Sequence, residues 1–265
     1  MTSSLGRVSA MVLRYFYLFR GSWPRILEMA YWPTMQIVMW GFITQFMAQH
    51  SSWVAQAFGV LLSAALLWDI LFRGQLGVSV SFLEEMWSRN LGHVFVSPLR
   101  TWELLVSLTV MSLIRTLIGV IPASLLAILF FGYSIYEMGF ALVGFFALLL
   151  MTSWAIGFAI CGMLLRFGLG AESLAWVAIF ALAPISGIYY PLSVMPEWLQ
   201  AVAWCLPPSY VFEGMRAVLV EHQFRADLFW QALALNGLYL IVGSTLFMLA
   251  FRSARRRALL LQIGE

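Results

Sequence analysis

Six stretches of this chain are long and apolar enough to cross a lipid bilayer, and no other feature narrows its possible folds as much. They cover residues 29–48, 53–72, 104–131, 138–165, 171–190 and 228–251. A hydrocarbon core of about 30 Å takes about 20 helical residues to cross. The alternation of a β-barrel is absent, so helices remain as the way to satisfy the backbone in lipid. Composition agrees: 62% of the residues are hydrophobic and only 10% are charged, with a mean hydropathy of +0.89. A soluble domain carries about 25% charged residues. The sequence therefore predicts an all-α integral membrane protein with six transmembrane helices, and excludes soluble, disordered and disulfide-scaffold folds.

All fifteen basic residues are arginine. Without lysine there is no G-x-x-x-x-G-K-[ST] phosphate loop and no Schiff-base amine. If ATP powers this protein, the ATPase sits on another chain. The arginines also predict orientation through the positive-inside bias. With both termini cytoplasmic, the inside segments hold Arg7, Arg14, Arg20, Arg25, Arg73, Arg89, Arg100, Arg166, Arg252, Arg255, Arg256 and Arg257, and the outside loops hold only Arg216 and Arg225. The net charge of +3 is thus read as topology and not as nucleic-acid binding.

The first residues do not read as a cleaved signal, because Arg14 interrupts the apolar stretch and no small-residue cleavage site follows. Residues 7–20 read as an amphipathic helix lying in the interface. Arg7 and Arg14 share one face, expected to point at anionic headgroups, and Val8, Met11, Val12, Tyr15 and Phe19 follow the i, i+3, i+4 rhythm. Gly21 and Pro24 break it before the first span. The resulting division is one transmembrane domain over 1–265: an interfacial helix at 1–28, a six-helix bundle at 29–251 and a cytoplasmic tail at 252–265.

Connections 49–52 and 132–137 read as simple turns, but two connections on opposite sides of the membrane carry more. On the cytoplasmic side, 73–103 reads as a loop bearing a short helix. Its apolar ridge is Phe82, Met86 and Trp87, with Glu84, Glu85, Arg89 and Asn90 presented to solvent or a partner, before Ser97-Pro98 interrupts it. A short helix bearing charges and one tryptophan resembles a docking surface. On the outside, 189–227 reads as two short amphipathic helices joined by a proline turn. Pro196 opens the first, with Trp198, Leu199, Val202 and Leu206 as its stripe; Pro207-Pro208 stop it. The second carries Val211, Met215, Val218 and Leu219, with Glu213 and Arg216 as an i, i+3 pair. Both are too short to span, which predicts a re-entrant hairpin dipping into the outer leaflet.

Taken in order, these features resemble the permease subunits of ABC exporters of the ABC-2 type. The resemblance rests on the arginine-bearing helix before span one, Glu84-Glu85 with Ser97-Pro98-Leu99, and the six spans. Its most specific part runs from Ser186-Gly187 through Pro191-Leu192, Met195-Pro196-Glu197-Trp198-Leu199 and Pro207 to Glu213 and Arg216. It implies a pathway formed by two permease copies, commonly a homodimer, with separate ATPase subunits docked beneath, in a bacterial inner membrane. ATP and Mg would be held by the ATPase, with no cofactor on this chain. Glu84, Glu85, Met86, Trp87, Arg89 and Asn90 would form the coupling contact, and the helix of Arg7 and Arg14 a second one. The external hairpin would line the gate. The implied activity is export of an amphipathic, lipid-linked or drug-like molecule out of the cytoplasm or inner leaflet.

Single residues sharpen this. Arg115 lies mid-span, where a charge costs about 2.5–3.5 kcal/mol on insertion scales. It either faces the pathway and an anionic group, or pairs with a carbonyl or with a carboxylate such as Asp69. Tyr189, Tyr190 and Trp204, near the outer gate, are the aromatic pathway candidates. Gly157, Gly162, Gly168 and Gly170 are expected to permit close helix contact. His50, His93 and His222 have no metal spacing, and Cys161 and Cys205 form neither a metal pattern nor a disulfide framework. An ion-coupled secondary transporter or channel is the rival reading. Six spans, no inverted repeat and no coupling acid other than Asp69 weigh against it. The absence of a catalytic cluster weighs against a membrane enzyme.

Overall fold

The computed structural model describes residues 3–50 and 52–256; Arg257 of the tail, and the side chains of Phe19 and Arg25, lie outside the described residues. Every regular element in that range is helical. The chain begins with α1 (Ser4–Arg20), breaks at Gly21, and continues as α2 (Trp23–His50), with Pro24 in its first turn. Next comes α3 (Ser52–Trp87), whose 36 residues contain no proline and extend about 54 Å at 1.5 Å per residue. This differs from the expected loop at 73–103. Arg73 and Ser81–Trp87 belong to the same uninterrupted rod as the second span, because Leu, Val, Ser and Phe continue there without a helix breaker. The following α4 (Leu91–Val96) is short and ends at Ser97, which is extended before Pro98 as the residue preceding proline prefers.

Past Pro98 lies α5 (Thr101–Phe131), closed by Gly132 in the left-handed region (φ +63), a conformation that costs glycine little. After a 3-10 turn, α6 (Phe140–Phe167) returns. The fifth apolar stretch is not one long helix. A 3-10 turn over Gly168–Ala171 leads into α7 (Ser173–Ile185), only 13 residues or about 20 Å, which stops just after Pro184 at Ser186-Gly187. The external segment folds as α8 (Glu197–Ala203) and α9 (Pro207–Arg216), both far too short to cross a bilayer. Pro196 precedes the first as expected. Pro207-Pro208, expected to stop that helix, instead start the second, where their missing N–H groups cost nothing. A π-turn at Ala217–Glu221 precedes α10 (Ala226–Arg256).

Among the described residues four helices are long and apolar enough to cross a membrane: Gly59–Trp87, Thr101–Phe131, Phe140–Ala171 and Ala226–Arg256. The protein is thus a helical membrane protein. Residues 29–48 do form helix, within the 28 residues of α2, but that helix is not among these four, with Glu28, Gln36 and Gln45 along it.

The rod α3 occupies the centre. Leu62, Leu66, Leu67, Ile70, Leu71, Val78 and Phe82 on it are each at most 1% exposed. Its N-terminal half packs with Ile37, Phe145, Leu148, Phe212 and Met215, and its C-terminal half with Met11, Tyr15, Leu108, Leu164 and Phe247. It crosses α5 antiparallel: an added Cβ on Gly77 would meet the Ser112 backbone at 2.9 Å, and one on Gly119 the Arg73 side chain at 2.7 Å. The pair α6 and α10 instead runs parallel. Gly144 faces Phe229, Thr152 faces Asn236, Ala155 faces Gly243 and Gly162 faces Phe247, a nearly constant offset. Close approach of small residues is how membrane helices gain packing when lipid is as apolar as leucine. Gly157 and Gly162 serve close contact as expected. Gly168 and Gly170 do not: nothing lies within 4 Å of a Cβ on either, and both sit in the turn after α6.

Candidate functional site

Functional side chains gather at the two ends of the bundle. At one end, the last turns of α3 form a hub. Glu84 and Glu85 are adjacent, and a one-residue step turns the helix by about 100°, so they reach different neighbours. Glu84 accepts a bond from Arg115 Nη2 of α5 at 2.9 Å, with the two side chains 11% and 6% exposed. Each side chain leans toward its own helix's N-terminus, and in an antiparallel pair that brings them together. Glu85, at 2% exposure, accepts from Arg14 Nη2 of α1 at 2.9 Å and from Asn90 Nδ2 at 2.9 Å. Neither carboxylate is presented to solvent, contrary to expectation. Burying a carboxylate is costly unless it is paired, and arginines far away in sequence supply the partners.

Arginine placement on α1 is likewise reversed. Arg7 and Arg14 turn toward the protein and not toward headgroups. Arg7 holds Glu103 through Nε at 2.9 Å and Nη2 at 2.5 Å, a two-pronged pair that raises the Arg7 pKa above its ordinary value. Met11 and Tyr15 are buried beside them, with burial driving the Tyr15 hydroxyl well above its usual pKa. Leu13, Phe16, Tyr17 and Leu18 are what this helix exposes. Glu103 was not singled out from the sequence. Its signal was its position three residues after Arg100 at a helix start, where its carboxylate accepts the Arg100 backbone N–H at 2.9 Å.

Met86 is buried at 1% exposure, whereas Trp87 is 47% exposed and donates to Glu172, at the start of α7, at 3.2 Å. Arg89 adopts a left-handed backbone (φ 52) in the turn after α3. Asp69, the suggested partner of Arg115, pairs instead with Arg73 at 2.7 Å, one turn along the same helix.

The opposite end is organised by Glu213 and Arg216. Glu213 accepts the Leu192 N–H at 2.7 Å and lies 3.5 Å from Arg216. Arg216 Nη2 donates to the carbonyls of Gly187 and, at 2.6 Å, Tyr190. Together they tie α9 to the turn that ends α7, supplying partners for carbonyls that the broken helix leaves unmet. Burial pushes the Arg216 pKa down, opposed by Glu213. Tyr189 stacks on Trp40 of α2 with ring centroids 4.7 Å apart, and Gln36 donates to its hydroxyl at 3.4 Å. The Tyr190 hydroxyl donates to the Pro184 carbonyl at 2.6 Å. Trp204 packs edge-on to Tyr210 at 4.8 Å. Tyr189, Tyr190, Glu213 and Arg216 therefore come together, Trp204 belongs to the α8–α9 turn, and Arg115 belongs to the hub at the end of α3. Among the described residues no cluster of three or more metal-binding side chains occurs.

A sequence profile described as ABC-2 type transporter matches residues 7–220. Two curated relatives, both called "Probable multidrug ABC transporter permease YbhR" and from Escherichia coli strains K12 and O157:H7, are 26% identical over 160 residues. The alignment covers 58% of this chain and 42% of each relative, so the match spans less than half of the relatives' length.

Proposed function

This chain belongs to the ABC-2 type transporter family, and from that premise we propose that it lines the export path of an ATP-driven transporter as one of two copies. It is an ABC transporter permease, and the ABC-2 membrane domain has no ATPase activity of its own. ATP and Mg belong to separate ATPase subunits docked at the Trp87 end. The proposed topology has six crossings and cytoplasmic termini in a bacterial inner membrane. In it α2 is the first crossing, α7 with its following turn the fifth, and α8–α9 a re-entrant hairpin at the outer gate. The substrate is an amphipathic, lipid-linked or drug-like molecule; the name of the curated relatives supports the last of these classes.

The observation that carries this reading is the hub on α3. One unbroken helix runs from the outer end to Trp87, and its inner end is bolted to α1 and α5 through Glu85–Arg14 and Glu84–Arg115. A push on Trp87 and Arg89 thus moves three helices together, the kind of two-state element that a partner's nucleotide state biases. Glu84, Glu85, Met86 and Asn90 stiffen this contact from inside, and Arg7 and Arg14 hold α1 to it. Arg115 is then a post of the hub, while Glu213 and Arg216 hold the gate hairpin against Tyr189 and Tyr190. The test is co-purification of a P-loop ATPase with the full chain. Trp87→Ala combined with Arg89→Ala lowers the recovered ATPase several-fold, whereas Trp198→Ala, at the outer end, leaves it unchanged. Undiminished recovery with the double variant refutes the docking assignment.

A further inference from the structure

Six arginines, Arg7, Arg14, Arg73, Arg115, Arg216 and Arg225, each face a carboxylate within 3.5 Å. Four others gather at one end of the parallel α6–α10 pair, and none has an acidic partner among the described residues. Arg252, Arg255 and Arg256 end α10, and Arg166 ends α6, its guanidinium carbon 5.4 Å from the ring centroid of Phe167. The helix register relates them. Gly162 abuts Leu246 and Phe247, so Arg166 stands level with residues 250–251, about one turn or less from Arg252.

The face on which they sit is more telling than their number. The side of α10 turned to the protein carries Asn236, Gly243, Phe247 and Ala254, all buried. The opposite side carries Leu238, Val242 and Leu249, 55%, 49% and 56% exposed, which is the lipid-facing stripe of a membrane helix. Arg252 and Arg256 lie three and seven residues beyond Leu249 and so continue that stripe. The stripe turns from aliphatic to guanidinium where the apolar run ends at Phe251, the depth at which headgroups begin. An orientation signal needs positive charge on that side of the membrane only; it does not need it on this face.

We propose that Arg166, Arg252, Arg255 and Arg256 form a binding site for the phosphodiester headgroup of an anionic phospholipid. Their guanidinium forks match phosphate oxygens two at a time, and no carboxylate among the described residues competes for them. The inference depends on this end of the helices lying at a bilayer surface and not on any ATPase partner.

The full chain, reconstituted in phosphatidylcholine vesicles, is probed with spin-labelled phosphatidylglycerol and, separately, spin-labelled phosphatidylcholine. The motionally restricted fraction of each label gives their relative association. The expected result is a clear preference for phosphatidylglycerol that weakens in 0.5 M salt and, at roughly five-fold per arginine, falls in the triple variant R252Q/R255Q/R256Q to the roughly five-fold that Arg166 supplies. Should that variant fail to insert, Arg166→Gln alone, which leaves the charge of α10 intact, loses about five-fold of the preference by itself. A preference absent from the unmodified protein, or unchanged in the variants, overturns the proposal. So does loss of a co-purifying protein with lipid preference intact, which would assign the patch to a protein surface.

Discussion

The pair between Glu84 and Arg115 offers the sharpest quantitative test of how the inner hub is held. Its side chains are 11% and 6% exposed, their atoms meet at 2.9 Å, and the Arg115 Nε is buried with no hydrogen-bond partner among the described residues. Arg115→Gln therefore takes a cation away from a mostly covered carboxylate. Breaking one partner of such a pair costs about 3–5 kcal/mol. For a chain of this size each kcal/mol shifts the midpoint by about 2–4 °C, so the loss should be about 6–20 °C in a thermal melt of the detergent-solubilised protein. In Glu84→Gln with Arg115→Gln, two neutral amides replace the two ions. Most of the lost stability should then return, giving a coupling of about 2 kcal/mol in the double-mutant cycle. If the two single changes simply add, the ion pair contributes no coupling, and Arg115 has to be placed on the transport path instead.

Other substitutions report on other parts of the fold. Gly243→Val would place a Cβ 2.3 Å from the Ala155 carbonyl oxygen and wedge α6 from α10, a loss of about 1–3 kcal/mol, whereas Gly170→Ala, with nothing within 4 Å, leaves the melting midpoint unchanged. Arg216→Met releases the carbonyls of Gly187 and Tyr190; amide exchange over 186–192 should speed up about ten-fold or more while exchange in the core of α3 stays as it was. The Tyr15 hydroxyl is buried without a partner among the described residues, so Tyr15→Phe should melt within about 2 °C of the parent or above it, and a large loss would reveal a bond to that oxygen.

The breaks in the chain were legible from sequence because they are local chemistry. Gly21, Pro98 and Gly132 end or separate helices through their own backbone limits, and Pro196 falls at a helix start for the same reason, whereas Pro207 marked a boundary whose helix start read as a stop. The pairing of Glu213 with Arg216 was legible too, since three residues along a helix make neighbours whatever surrounds them. The hub at the end of α3 was only half legible. Glu84, Glu85, Arg89 and Asn90 all read as presented outward, yet Glu85 is buried and Glu84 is 11% exposed, while Trp87, read as part of the apolar ridge, is 47% exposed.

Sequence by itself determined that this is a helical membrane protein, that its positive charge is carried by arginine and where some of its helices break, because length, hydropathy and proline act over a few residues at a time; it did not show that α3 runs on to Trp87 or that the fifth stretch stops at Ile185. Tertiary structure alone decided which way the charges point. Arg14 and Glu85 are 71 residues apart, Arg115 and Glu84 31, and Arg7 and Glu103 96. A carboxylate is tolerated inside only when a folded neighbour delivers a cation to it, and that delivery depends on how α1, α3 and α5 cross. The same logic left the arginines at the end of α10 facing outward, where α6 already fills the protein side of the helix and lipid remains the nearest phosphate.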